Sequence, residues 1–347
     1  FTVNTSLYNA YNDERVWKVL SNPFGNDNHY REFQVNEKAW AAVNASAGDI
    51  FASYGDAAIY FISRTGAEDG DTWFDTSKNT SDEHIDNDYL NLTKNEKDTI
   101  DALISLKKSG TFKKVILVIN SGTALTMKDI YPLEIDSILW AGMGGNASFA
   151  AIYDVMSGKV NPSGRLVDTY AYNSYSAPSM LNTGAYEFTR YGALPAENRG
   201  SNSYNHAYMV YQEGIYVGYK YYETRYEDVV LGRGNTADYK YTDDVAYPFG
   251  YGLSYSDYEM SDFAVEKNKD GNYDVTVTVT NVGDTAGRHV AQVYLQKPYT
   301  DYDRANGVEK AAVELVGYAK TGVLAANGGK ETLTITVDHN DFKSYDS

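Results

Sequence analysis

The sequence of 347 residues contains no cysteine. That excludes a disulfide framework and any thiolate metal or redox site. Histidine is scarce: His29, His84, His206, His289 and His339 are scattered without ligand spacing, so no metal centre and no cofactor is expected. No apolar run approaches the roughly 20 residues of a membrane-spanning helix, and no signal-peptide pattern is present. Positive charge is also in deficit. Thirty Lys and Arg stand against 47 Asp and Glu, a net charge of −17, which argues against nucleic acid or an anionic membrane as partner. Such a surface suits a neutral, hydroxyl-rich ligand. The chain begins at Phe1 rather than Met, so a trimmed or processed N-terminus is expected. The compartment is left open, leaning towards a secreted or cell-envelope setting with its targeting sequence absent from this chain.

What is abundant is tyrosine, with 33 residues. Its ring stacks on sugar faces, but it equally packs half-buried in β-rich proteins. Hydrophobic residues at 43% and charged residues at 22% are those of an ordinary globular protein, long enough for two cores.

One stretch organises the rest. A short apolar run, Ala57 to Ile62, stops at Ser63-Arg64 and opens into a loop holding Gly66, Glu68, Asp69, Gly70 and Asp71. A buried strand ending in an acidic, glycine-hinged loop is a favoured place for chemistry in α/β proteins. Crowded carboxylates disfavour each other's ionisation, so one of them can keep its proton near neutral pH and serve as a general acid. A solvated acidic turn fits the same spacing. Trp73, just beyond, is either a stacking platform or an anchor for the loop.

Before this stretch, residues 1–50 read as an approach segment, with a short helix expected from Asn12 on and helical spacing at Trp40, Val43 and Ala47. After it, Thr93-Lys94-Asn95-Glu96 is a capping box that opens a helix ending at Gly110. Lys113 to Asn120 is a continuous apolar run, hence a strand covered on both faces. A further strand in "EIDSILWAG" and a helix in "NASFAAIYDVMSG" complete a strand–helix alternation that predicts a mostly parallel sheet with helices on both sides. Gly142, Gly144 and Ala147 match a dinucleotide fingerprint, read either as a phosphate cradle or as a tight strand-to-helix turn. "YQEGIYVGYKYYE" and "YPFGYGLSYSDY" read as extended segments pinned by ring packing. From about Tyr258 the character changes. Val275, Val277 and Val279 alternate with Thr276, Thr278 and Thr280, and two later runs repeat the theme, which predicts a small β-sandwich.

These motifs resemble glycoside hydrolase family 3. "ISRTGAEDGD" is similar to the family's strand and loop, although the family's Gly-Glu-Gly turn is Ala67-Glu68-Asp69 here. "GKVNPSGRL" (Gly158 to Leu166) followed by Thr169 is a longer match to a scaffold region of the same family. The resemblance implies an α/β sandwich domain over residues 51–255 that carries the acid/base, and a truncated fibronectin type III-like β-sandwich over residues 256–347. It assigns the acid/base role to Glu68, with Glu83 a distant second choice, and places Arg64, Asp69 and Trp73 at the substrate. It implies a retaining β-glucosidase-like hydrolase acting on β-glycosides or oligosaccharides.

Family members carry their nucleophile, an Asp, on a (β/α)8 barrel of about 250 residues, and this chain has no room for one. The resemblance therefore implies a partner: a second polypeptide or domain bearing the barrel, with this chain as the N-terminal piece of a permuted enzyme. A homo-oligomer is allowed; a nucleic-acid partner is not expected. The competing readings are a non-catalytic carbohydrate-binding or scaffold module and a nucleotide-binding α/β protein.

Overall fold

The computed structural model describes residues 2–11, 37–64, 85–145, 148–182, 186–187, 207–208 and 210–344. In chain order its helices and strands are α1 (Thr5–Tyr11), α2 (Trp40–Ala47), β1 (Ala58–Ser63), α3 (Lys94–Lys108), β2 (Val115–Asn120), β3 (Ser137–Trp140), α4 (Ser148–Met156), β4 (Tyr170–Ala171), β5 (Tyr186–Glu187), β6 (Ala207–Tyr208), α5 (Tyr219–Leu231), α6 (Tyr241–Asp244), β7 (Val245–Tyr247), β8 (Tyr258–Lys267), β9 (Tyr273–Asn281), β10 (Val290–Leu295), α7 (Asp301–Asn306), β11 (Glu314–Lys320) and β12 (Lys330–Val337). By internal contacts they form two compact units, one of residues 1–146 and 182–210, the other of residues 147–181 and 211–347. The sequence reading divides the chain at 255/256 instead.

The first unit is α/β. Strands β1, β2 and β3 pair in parallel in that order. In β2 Val115, Leu117, Val118 and Ile119 are all buried, as a strand covered on both faces requires. Helix α3 lies against β1 and β2, and α2 against α3. The buried face of α3 is Thr99, Ile100, Leu103 and Ile104, spaced for one helical stripe. Its capping box is formed: the Thr93 hydroxyl accepts from the Glu96 N–H, and the Glu96 carboxylate accepts from the Thr93 N–H. The helix closes at Ser109, with Gly110 at φ 84° as the stop. Phe51 stacks with Trp40 and tilts against Phe112, closing the core beside α2. The helix expected from Asn12 on lies outside the described residues; α1 ends just before it.

The second unit is dominated by antiparallel strands. Sheet order is β12-β9-β8, with β10-β11 a second, two-stranded sheet. Val275, Val277 and Val279 point inward with Ala291, Leu324, Leu333, Ile335 and Val337, so the period-two pattern marked the right face. A smaller core joins Ala171, Ala177, Tyr222 and Val245.

One expectation is corrected here. The stretch Tyr211–Glu223 is not extended throughout: from Tyr219 it enters α5, which starts at Gly218 (φ 57°) and stops at Gly232 (φ 62°). Tyr219, Tyr222, Tyr226 and Val229 recur at three- and four-residue intervals, and that helical period outweighs the glycine–aromatic alternation before it. Ring packing does pin the second stretch, where Phe249 stacks on Tyr219 at 4.3 Å.

Candidate active site

The carboxyl edge of the parallel sheet is ordered beyond the last ladder bonds. The Arg64 N–H reaches the Asn120 carbonyl at 3.2 Å, and the Ala141 N–H reaches that of Ile119 at 2.8 Å. Trp140 donates its indole N–H to the Ser121 carbonyl, while the Ser121 hydroxyl closes the next turn on Thr123. Gly122 leaves space where a Cβ would meet the Met143 sulfur at 2.7 Å, and Met143 itself is exposed. Open α/β sheets use this edge for ligands.

Where β1 ends, Arg64 turns inward. Its Nε donates to the Tyr89 carbonyl at 2.9 Å and Nη1 to the Ser63 carbonyl at 2.9 Å. Nη2 donates to the Asn91 carbonyl at 2.6 Å. The two terminal nitrogens also form a fork on Glu96, each at 2.8 Å. Both side chains of the pair are 2% exposed. Burial works against the guanidinium charge, but the Glu96 carboxylate and its hydrogen bonds outweigh it, and the Arg64 pKa is raised. All five N–H donors of Arg64 are therefore committed to protein acceptors. A direct contact with substrate, as expected for this residue, has no donor left to make it.

Behind the pair, the Glu37 carboxylate accepts from the Tyr11 hydroxyl at 2.9 Å and from the Lys38 N–H. Asn95, one residue before Glu96, donates to the Glu37 carbonyl. Burial raises the Glu37 pKa and the nearby charge of Glu96 adds to it, while the hydrogen bonds from the Tyr11 hydroxyl and the Lys38 N–H oppose this. The sequence pattern identified Glu96 only as a capping residue and Glu37 not at all. The available signal was a charged Arg at the end of an apolar strand, which must find a buried acid.

Glu68, Asp69 and Trp73 lie outside the described residues, as does Glu83; Glu68 follows Arg64 by four positions. Gly142 of the glycine-rich turn is left-handed at φ 62°, while Ala147 is outside the described residues. Among the described residues no group of three or more His, Asp or Glu is placed to hold a metal ion, and no helix is long and apolar enough to cross a membrane.

Comparison with known proteins agrees with this architecture. Residues 16–219 match the glycosyl hydrolase family 3 C-terminal domain. A β-glucosidase of Ruminococcus albus is 33% identical over 84% of this chain and 24% of its own length. An exo-α-(1→6)-L-arabinopyranosidase of Bifidobacterium longum is 30% identical over 66% of this chain and 25% of its own length. The crystal structure of a β-glucosidase from Paenibacillus barengoltzii superposes with a TM-score of 0.70 at 26% identity, covering 99% of this chain and 31% of that one. The fold and its matches define a glycoside hydrolase domain of the α/β sandwich type. The chain belongs to glycoside hydrolase family 3, and it spans about a quarter of the length of the curated relatives it matches.

Proposed function

We propose that the chain supplies the acid/base of a retaining β-glycosidase, β-glucosidase-like in type, that removes terminal β-linked sugars from oligosaccharides or glycosides. The nucleophile, an aspartate, comes from a (β/α)8 barrel on a second polypeptide or a further domain, and the enzyme is active only with it. The observation that carries the reading is the junction at Ser63-Arg64. A parallel strand ends there, its end is tied down by a buried ion pair, and Glu68 follows four residues on. Family membership supplies the reaction class.

In this reading the barrel aspartate attacks the anomeric carbon, and Glu68 gives its proton to the departing glycosidic oxygen. Water then attacks the glycosyl–enzyme bond. Glu68 takes the proton from that water, and the aspartate leaves with its electron pair. The two carboxyl groups come to within about 5 Å of each other for this. The crowding of Glu68, Asp69 and Asp71 in the sequence lets one of these carboxyls keep its proton before the first step in this reading, and Trp73 is assigned the face for a sugar ring. The relatives are named for both β-glucosidase and arabinopyranosidase activity; in this reading the glycone is selected mainly by contacts on the barrel.

Two experiments test this. Mass spectrometry of the active preparation is expected to find a barrel-sized polypeptide together with this chain, or covalently continuous with it. Glu68→Gln is expected to lose about 10²- to 10⁴-fold in kcat on cellobiose. Aryl glycosides with good leaving groups retain turnover, and azide restores part of it. Parent-like hydrolysis of cellobiose by Glu68→Gln overturns the assignment.

A further inference from the structure

We propose that the core-side face of β8 is a docking site for an extended strand of the barrel-bearing polypeptide, which pairs with the edge of β10 turned away from β11. The inference rests on the reading above that such a polypeptide is required.

Strand β8 pairs with β9, setting Met260 opposite Val279 and Val265 opposite Val275. Residues opposite each other in an antiparallel pair share a face of the sheet. Val275 and Val279 are core residues, so Met260 and Val265 point to the core side, and Phe263, two residues before Val265, points with them. The other face of β8 carries Glu259, Ser261, Ala264 and Glu266, opposite Thr280, Thr278, Thr276 and Asp274. That alternation belongs to a strand covered on one side. Yet Met260 is 52% exposed, Phe263 71% and Val265 50%.

The layers explain this exposure. In the second sheet β11 lies against β12 and β10 against β9. The first sheet continues to β8, whereas the second ends at β10. Strand β10 bonds to β11 on one side, and among the described residues no strand pairs with its other edge. A strand added there lies over β8. Beside Ala291 and Val293, which face the core, its own inward side chains meet Met260, Phe263 and Val265.

A second copy of this chain does not fit. Joining β10 to β10 about a two-fold axis drives the copy's β9 into the layer that β8 occupies. Joining β8 to β8 edge to edge extends the sheet but leaves the apolar row uncovered. It also meets the bulge at Asp262 (φ 53°) and brings Glu259, Asp262 and Glu266 against their equivalents. The occupant therefore brings a strand without a sheet of its own, apolar at alternate positions, and the acids along β8 favour Lys or Arg beside them. The relatives have length for such a segment besides a barrel, since this chain spans 24% and 25% of them.

The test places a benzophenone amino acid at position 263 of the active enzyme, an exposed site that tolerates the larger ring. Irradiation is expected to join it to a peptide of the barrel-bearing polypeptide that lies outside the barrel and alternates apolar residues. The same group at position 259, on the opposite face, is expected not to reach that peptide. Position 265 is read if the first variant does not fold. Cross-linking to a second copy, to the barrel itself, or to no peptide from a folded enzyme overturns the inference. If the preparation contains the barrel but the cross-link falls elsewhere, only the docking site is lost. If it contains no barrel, the functional reading falls, and the docking site with it.

Discussion

Glu96 closes two structures with one carboxylate. Its Oε2 accepts both from the Thr93 N–H at 2.7 Å, completing the cap of α3, and from Arg64 Nη2 at 2.8 Å, completing the ion pair at the end of β1. A helix start and a strand end are therefore held by the same side chain, and the helix N-terminus favours the negative charge placed there.

Removing that carboxylate leaves Arg64 charged and buried. Glu96→Ala is expected to destabilise the protein by about 3–5 kcal/mol, and replacing the pair together, as Arg64→Met with Glu96→Leu, to recover most of that loss. Denaturant unfolding of the three proteins checks it. A double variant no more stable than Glu96→Ala would show that the carbonyl contacts of Arg64, rather than the ion pair, dominate.

The cap has a separate contribution. Thr93 is fully buried and its hydroxyl accepts from the Glu96 N–H at 3.2 Å. Thr93→Ala is expected to cost about 1 kcal/mol, while Thr93→Ser, which keeps the acceptor, costs less. A thermal scan that ranks Ser with Ala contradicts this account.

Asp136 makes the stability depend on acid. Burial pushes its carboxyl up, but Lys107, the Val115 N–H and Lys114 more than offset this and hold it at about 2. The unfolded value is about 3.9. With the folded value the lower, the stabilisation is fully present above about pH 5 and is lost as the pH falls towards 2. Asp136→Asn is expected to be less stable at pH 7 by about 1 to 2 kcal/mol, allowing for solvent around the lysines. That difference should vanish near pH 2. A gap between the two proteins that stays constant from pH 7 to 2 would remove Asp136 from the explanation.

In the second unit, Gly317 lies in β11 where a Cβ would stand 2.6 Å from the Ile335 Cγ2. Ile335 is 5% exposed and part of the sandwich core, so it has little room to retreat. Gly317→Ala is expected to destabilise by about 1–3 kcal/mol through overpacking, and the additional change Ile335→Val to relieve part of it. Native-like stability of Gly317→Ala refutes the close approach.

Much of the architecture was readable because it rests on short-range periodicity. The apolar run of β2, the stripe Ile100-Leu103-Ile104 and the alternation Val275-Val277-Val279 each state which face is buried before any partner is known. Thr93 and Glu96 declare a helix start for the same reason: both ends of the capping box lie within four residues. Segment α5 was less legible, since glycines at 214 and 218 and six tyrosines between 208 and 222 fit an extended chain as well as a helix. The buried Tyr222 and the bonds from the Ala312 and Leu315 N–H groups to the Thr224 and Tyr219 side chains, made across long sequence distances, select the helix.

The order of residues alone therefore settled β2, α3 with its cap, and the inward face of β9, because each depends on neighbours a few positions away. It also marked Arg64 and Glu68 as the place where chemistry is to be sought. Which way Arg64 points was decided only by the tertiary structure. Four of its five hydrogen bonds go to acceptors 25 to 32 residues further along the chain, and no local pattern records that Tyr89, Asn91 and Glu96 converge on one guanidinium. A strand-terminal arginine facing a ligand and one facing inward read identically in sequence; the cost of burying its charge picks between them only once a carboxylate is brought within 2.8 Å.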